Sequence, residues 1–217
     1  ALQKQTKVTS MVDPYLGDNS VLESNNWSSR LNETSSSSSD FDMVEDFDVS
    51  KVAKLLAKDE VIARCVGKAE FGARALGNRS ILANPGNFDN IKKINDLIKN
   101  RDFWMPFTPS ILEEYANKYL LNPKDSNSPY MTIGFKSTME ARKDIKACLH
   151  MGDYSARPQL VKKEINEEYW KIIYEFYKIT DVPCILNTSL NLHGEPMNYT
   201  LADSVRTLAL SSLNFLL

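Results

Sequence analysis

The sequence predicts a domain of the α/β (α+β) class: a β-sheet flanked by helices, preceded by an irregular N-terminal arm. Three observations carry this prediction. Short β-branched runs at residues 60–67 and 184–187 read as buried strands. Segments opening at Val49 and Glu167 repeat their apolar residues with helical spacing. The two kinds of segment interleave along the chain instead of segregating, which points to helices packed on a sheet.

Residues 1–47 are polar and rich in turn formers, and include Thr34, serines at 35–39, and then Asp40, Asp42, Glu45 and Asp46. Such a stretch has too little apolar surface to offset the entropy of ordering, so it reads as a linker or mobile arm, with the folded unit at 48–217. Val49, Val52, Ala53 and Leu56 then fall on one helical face. Residues 60–67 form a short strand closed by Gly67, and Pro85-Gly86 enforces a turn. Asn87 is placed to cap a helix with Phe88, Ile91, Ile94 and Ile98 inward, and Ser110-x-x-Glu113 has the spacing of a capping box for a helix carrying Ile111, Tyr115 and Tyr119. Residues 130–135 alternate like a strand. Residues 167–179 form a helix whose Tyr169, Trp170, Tyr174, Phe176 and Tyr177 are core by spacing, and Thr200-x-x-Asp203 opens a final apolar helix.

With 217 residues, 42% of them apolar, the chain suits one domain plus an appended segment. A net charge of −2 supplies no global basic field, so nucleic acid is not an expected partner and any phosphate binding must be local. Cys65, Cys148 and Cys184 are odd in number and lack zinc-site spacing, which fits buried, reduced thiols of a cytoplasmic protein. No apolar run approaches the roughly 20 residues a membrane span needs.

The chemistry concentrates in residues 70–80, Glu-Phe-Gly-Ala-Arg-Ala-Leu-Gly-Asn-Arg-Ser. Gly72-x-x-x-x-Gly77 after a strand invites comparison with a P-loop, whose backbone N–H groups and lysine hold phosphate. Asn78-Arg79-Ser80 stands where Lys-Ser/Thr is required, and Pro85-Gly86 leaves too few residues for the long helix that follows a P-loop. What survives is an anion cradle with Lys68, Arg74 and Arg79, since guanidinium groups suit bidentate binding of phosphate or carboxylate. A surface charge cluster paired with Glu70 is the alternative, and residue types leave both open. Three further stretches join polar groups to strand ends or turns: Arg101 before Pro106-Phe107-Thr108-Pro109, Asp153-Tyr154-Ser155-Ala156-Arg157-Pro158-Gln159, and residues 187–196. Asn187, at the end of an apolar strand, either points its amide into a crevice or forms a turn. Asp153 with Arg157, and Glu195 with His193, either orient a ligand or are solvated pairs.

These blocks, in this order, resemble the signatures of the carbamoyltransferase family that includes nodulation proteins and antibiotic O-carbamoyltransferases. Its first block reads approximately G-R-M-E-F-G-P-R-A-L-G-N-R-S-I-L-A, against Gly67-Lys68-Ala69-Glu70-Phe71-Gly72-Ala73-Arg74-Ala75-Leu76-Gly77-Asn78-Arg79-Ser80-Ile81-Leu82-Ala83 here. Its R-E-x-x-R-P-F-A-P, D-G-T-A-R-x-Q and L-N-T-S-F-N-x-x-G-E-P blocks correspond to residues 101–109, 153–159 and 186–196, so the resemblance spans about residues 60 to 217. Asp13-Pro14-Tyr15-Leu16-Gly17 resembles the junction that follows the family's larger N-terminal domain, so the chain is expected to be the C-terminal part of a longer polypeptide.

The resemblance implies a YrdC-like twisted mixed β-sheet flanked by helices. It implies that this domain activates carbamoyl phosphate with ATP, releasing pyrophosphate and forming carbamoyladenylate. The N-terminal metal-binding transferase domain, outside this chain, would then carbamoylate an acceptor hydroxyl. ATP as substrate and Mg²⁺ are the implied cofactors, and a homodimer is compatible. Lys68, Arg74, Arg79 and Arg157 become the expected phosphate or carbamate ligands. Glu70, Asn78, Ser80, Arg101, Asp153, Ser155, Asn187, Ser189, Asn191, His193 and Glu195 complete the expected substrate and nucleotide contacts. Four departures stand against the pattern: Lys68 for Arg, Ala73 for Pro, Tyr154 for Gly, and Met105 for a basic residue. Met105 and Tyr154 motivate an alternative, a catalytically weakened nucleotide- or phosphometabolite-binding module.

Overall fold

The computed structural model describes residues 13–17, 48–100, 102, 105–122 and 124–217. Helix α1 (Val49–Ala57) starts where Asp48 accepts a hydrogen bond from the Ser50 N–H, and it buries Val52, Ala53 and Leu56, the face its spacing predicts. Strand β1 (Ile62–Cys65) follows, and the chain returns through the 70–80 loop as β2 (Arg79–Ala83), antiparallel to β1 with Cys65 opposite Arg79.

Six strands form the main sheet in the order β7-β3-β8-β2-β1-β9, where β3 is Thr108–Leu112, β7 Gln159–Val161, β8 Cys184–Ser189 and β9 Phe215–Leu216. The β1/β9 and β3/β7 pairs are parallel and the others antiparallel, so the sheet is mixed. A smaller antiparallel sheet is made of β4 (Leu120–Leu121), β5 (Phe135–Ser137) and β6 (Ser155–Ala156).

Strand alternation deals side chains to two layers. Ile62, Leu82 and Ile185 meet α1 and the long helix α5 (Glu167–Thr180) on one face. Ala63, Cys65, Ile81, Ala83 and Leu186 meet Ile91, Ile94 and Ile98 on the other. The last three lie on α2 (Asp89–Ile94) and the π turn Asn95–Lys99 that extends it. Because both faces are covered, β1 apart from Arg64 and β8 over residues 184–186 are apolar without alternation, which is what made them legible. A third cluster joins the two sheets through α3 (Ala116–Tyr119) and α4 (Met139–Asp144), with Ile111, Tyr119, Phe135 and Ala141 at its centre. All three cysteines are buried and free, and burial raises the pKa of each thiol.

The capping predictions divide. Asn87 does accept a hydrogen bond from the Asp89 N–H, and the Thr200/Asp203 box closes the start of α6 (Leu201–Leu210). The Ser110 box does not form. Ser110 lies in β3 between Gln159 of β7 and Ile185 of β8, its hydroxyl bonded to Gln159 Oε1 at 2.9 Å, because pairing on both sides buries Ile111 and Leu112 completely. Only Phe135 of the predicted 130–135 strand pairs, since Met131 takes a positive φ that extended backbone excludes. Phe88 is exposed rather than inward, and α6 buries Ser204 and Thr207 while Leu210 faces solvent.

Gly77 fixes how the 70–80 loop meets α5. Its φ is +121°, and a Cβ there would stand 2.6 Å from Cδ1 of Tyr169. Gly77→Ala is therefore expected to destabilise the domain by about 3 kcal/mol, the sum of overpacking and backbone strain. An unchanged urea midpoint would remove this contact from the account of the fold.

Candidate anion-binding site

The loop from Glu70 to Ser80 spends its backbone groups on itself. Glu70 Oε1 accepts hydrogen bonds from the N–H groups of Leu76 (2.8 Å), Asn78 (2.8 Å) and Arg79 (3.1 Å), and Ser80 Oγ accepts from the Gly77 N–H (3.0 Å). In a P-loop such N–H groups would face phosphate; here an internal carboxylate takes their place. Arg79 is 0% exposed. Its guanidinium donates to four carbonyls, those of Val66 (2.8 Å), Gly67 (3.1 Å), Asn78 (2.9 Å) and Tyr199 (2.9 Å). Arg64, buried in β1 over the Tyr169 ring, donates to Gly77 O (2.7 Å), Asn78 Oδ1 (2.9 Å) and Glu168 Oε1 (2.9 Å). Asn78 returns a bond to Lys68 O at 2.8 Å. Glu70, Asn78, Arg79 and Ser80 thus form the frame of the loop, and the expected ligand role of Arg79 gives way to a positioning one.

A second frame lies beneath. Asn187 is fully buried in β8, and its amide N–H groups point to Ala75 O (3.2 Å), Ser110 Oγ (3.0 Å) and Gln159 Oε1 (3.3 Å). Gln159 Nε2 donates to Leu76 O at 2.7 Å. Strands β8 and β7 therefore hold the loop by two successive carbonyls.

Above this frame opens a small, partly open cleft. Ala73, Arg74 and Ala75 line it from the loop, Phe107 and Thr108 from the start of β3, and Thr188 and Ser189 from the end of β8, with Met131 and Arg157 completing the wall. Among the described residues neither Arg74 nor Arg157 has an ion-pair partner, and Arg157 Nε is buried without a hydrogen-bond acceptor. Burial, and then the charge of Arg74, lower the pKa of Arg157. Two cations sharing a cleft with no carboxylate in its wall are suited to an anion, which would relieve their repulsion and satisfy the orphaned donor.

The other expected contacts sit around this centre. Lys68 is exposed and outside the cleft wall. Ser189 Oγ donates to Asn191 Oδ1 (2.6 Å), which also accepts from the buried Lys99 Nζ (2.7 Å). His193 Nδ1 donates to Lys99 O (2.6 Å), the only direction a carbonyl allows. The two pairs read from sequence do not form. Glu195 is held by Arg206 in a bidentate pair (2.7 and 2.9 Å) that lowers its pKa, and exposed Asp153 lies 3.0 Å from His150 while accepting the Ser155 N–H at 2.9 Å. Nor does Tyr154 crowd the cleft, since its ring lies over Arg142 at 4.3 Å. Its φ of +56° is the conformation a glycine adopts without strain. Met105, adjacent to Pro106, is 36% exposed. Arg101 lies outside the described residues.

Sequence reading missed Arg64, Lys99 and Met131, while Thr108 and Thr188 fell inside stretches it named without being singled out. For Arg64 a signal existed, because an arginine inside an otherwise apolar strand must find buried acceptors. Lys99 and Met131 had none, since distant elements bring the first to Asn191 and the second to the cleft wall.

Residues 53–217 match the family described as Carbamoyltransferase C-terminus. The chain is 40% identical over 166 residues to nodulation protein NolNO of Sinorhizobium fredii, covering 76% of this chain and 24% of that protein. It is 35% identical over 204 residues to nodulation protein NolO of Bradyrhizobium diazoefficiens, covering 93% and 35%. An uncharacterised protein of Methanocaldococcus jannaschii is 39% identical over 177 residues, covering 81% and 34%. The chain thus spans about a quarter to a third of the length of these relatives. Among solved structures, YciO of E. coli aligns with a TM-score of 0.56 at 12% identity, covering 77% of this chain and 75% of that one. Full-length HypF, in a phosphate- and nucleotide-bound form, aligns with a TM-score of 0.53 at 18% identity, covering 77% and 20%. These likenesses establish the YrdC-like fold that the sequence predicts.

Two outcomes follow from the frame. Arg79→Lys should lower unfolding free energy by about 2–4 kcal/mol, through carbonyls left without donors, as read by urea denaturation. Tyr154→Gly should relieve roughly 1 kcal/mol of left-handed strain and leave ligand affinity at the cleft unchanged. A large affinity change measured by calorimetry would place Tyr154 in the site after all.

Proposed function

Because the chain belongs to the carbamoyltransferase family, as its C-terminal domain, we propose that it activates carbamoyl phosphate with ATP to form carbamoyladenylate. The observation that carries this reading is the pair of uncompensated cations, Arg74 and Arg157, in a cleft whose wall otherwise offers hydroxyls and apolar groups. The reaction joins a carbamate oxygen to the α-phosphorus of ATP and breaks the bond to pyrophosphate; with water, the phosphate of carbamoyl phosphate is released. Negative charge grows on the α-phosphoryl oxygens and on the departing pyrophosphate.

Arg74 and Arg157 would stabilise that charge from fixed positions, which accelerates the step because no reorganisation is needed at the moment of reaction. The hydroxyls of Thr108, Thr188 and Ser189 would orient the uncharged carbamoyl end, and Phe107 and Met131 would keep water from the mixed anhydride. No ionisable nucleophile is required, because the reacting groups belong to the substrates and the protein positions them. The cleft wall holds no carboxylate, and no group of three His, Cys, Asp or Glu among the described residues could cage a metal. A Mg²⁺ ion would therefore be held by the nucleotide's own phosphates.

Transfer to an acceptor hydroxyl is assigned to the N-terminal domain that the greater length of the relatives implies. A cytoplasmic setting, where ATP is abundant, suits the reaction. Among the described residues no helix is long and apolar enough to cross a membrane.

Met105 favours a second reading. It stands beside the cleft where the family pattern has a basic residue, and a missing cation fits a module that binds nucleotide without turning it over.

Pyrophosphate release by the full-length protein tests both. Arg74→Ala and Arg157→Ala should each lower kcat/KM about a hundredfold, while activity of Arg79→Lys should follow its folded fraction. Wild-type release rates in both alanine variants would remove the site from this function. ATP binding by calorimetry without turnover, together with activity gained by Met105→Arg, would establish the second reading instead.

A further inference from the structure

Residues 13–17 precede helix α1 by more than thirty positions, yet they pack on the loop that carries Arg74. Three hydrogen bonds join them to it. Pro14 O accepts the Phe71 N–H at 2.7 Å, the Gly17 N–H donates to Ala69 O at 3.1 Å, and the Tyr15 hydroxyl donates to Leu76 O at 2.7 Å. Tyr15 is 8% exposed, and its ring packs with Leu76 and with Met131, which lines the cleft. Asp13 Oδ1 accepts the Tyr15 N–H at 2.8 Å and so shapes the segment. Gly17 permits the close approach, because a Cβ there would lie 3.0 Å from Ala69 Cβ and 3.1 Å from Ala69 O.

One short segment therefore grips the loop at both ends, at Ala69 and Phe71 before its apex and at Leu76 after it. Phe71, Gly72, Ala73 and Arg74 at the apex are all exposed, so no buried side chain of their own fixes them. Their position is set by the anchors on either side. Three of those anchors, Glu70, Asn187 and Gln159, belong to the folded domain; the fourth is residues 13–17, which enter neither sheet and no helix.

We propose that residues 13–17 are a strap that sets the position of Arg74, with Tyr15 as its positioning residue. The consequence for function rests on the reading of the cleft as an ATP and carbamoyl phosphate site. The strap can lift without unfolding the sheet, and lifting it frees Ala69 O and the Phe71 N–H together and leaves Leu76 O to Gln159 alone. Arg74 then loses its fixed place opposite Arg157. Anion affinity at the cleft accordingly depends on a segment outside the sheet domain, and a pull on that segment from upstream reaches the bound phosphate.

The test uses the full-length protein with Tyr15→Phe, which removes only the hydroxyl bond to Leu76 and keeps the ring, and with Gly17→Ala, which pushes the strap from Ala69. Amide hydrogen exchange at Phe71 and Leu76 is expected to quicken about tenfold in both variants, with the amides of β8 unchanged and affinity for ATP, read by calorimetry, weakened about five- to tenfold. Unchanged exchange at Phe71 and Leu76 overturns the proposal. So does exchange that quickens equally in β8, because Tyr15 would then support the whole fold rather than the loop. Arg74→Ala separates the two ideas: if that variant binds ATP like wild type, the reading of the cleft fails, while exchange in the strap variants still decides the strap.

Discussion

One carboxylate oxygen organises this protein's chemistry. Glu70 Oε1 collects the N–H groups of Leu76, Asn78 and Arg79, and the Arg79 guanidinium collects four carbonyls from the turn before the loop, the loop itself and the segment leading to α6. Hydrogen bonds to charged groups contribute about 1.5–3 kcal/mol each, so together they offset much of the entropy of ordering a short glycine-containing loop. The arrangement leaves Glu70 Oε2 buried without a hydrogen-bond partner among the described residues, a local cost accepted for that order. It also decides how an anion can be held. With these loop amides already engaged, binding falls to side chains at the apex.

That division explains why the two families of arginines behave so differently. Arg64 and Arg79 are buried among internal acceptors, Arg79 through all three of its nitrogens and Arg64 through its two terminal ones, and their removal would unsettle structure. Arg74 and Arg157 face a cleft with no carboxylate to answer them, and they carry the electrostatic demand for a ligand. Placing such a demand at the end of a central strand is physically natural: the chain ends of β8 and β3 converge there, and the sheet below supplies Asn187 and Ser110 to brace the loop from within. The loop that carries Arg74 is thereby tied to the sheet and, through Tyr15, to a segment beyond it.

The sequence by itself determined whatever depends on local periodicity and burial. Helix α1, helix α5, the doubly buried strands β1 and β8, and the Thr200/Asp203 cap all formed as their spacing predicts, because each pattern is satisfied within a few residues of itself. The 70–80 loop was recognisable as an unusual concentration of glycines and cations, and its departure from a P-loop could be argued from Asn78 and Pro85 alone.

Only the tertiary structure decided partners. Ser110 resembled a helix cap until strands on both sides drew it into the sheet, and the 130–135 alternation yielded to the positive φ of Met131. Arg79 and Arg74 are the same residue type five positions apart, yet one binds a carbonyl 120 residues away and the other lines the cleft. Glu195 went to Arg206 rather than His193, and Tyr154 to Arg142 rather than the site. A long charged side chain reaches several ångströms in many rotamers, and its sequence neighbours do not determine which acceptor lies at the end. That is settled by what distant segments place there, so the loop's composition could announce an anion site while the fold alone chose which arginines serve it.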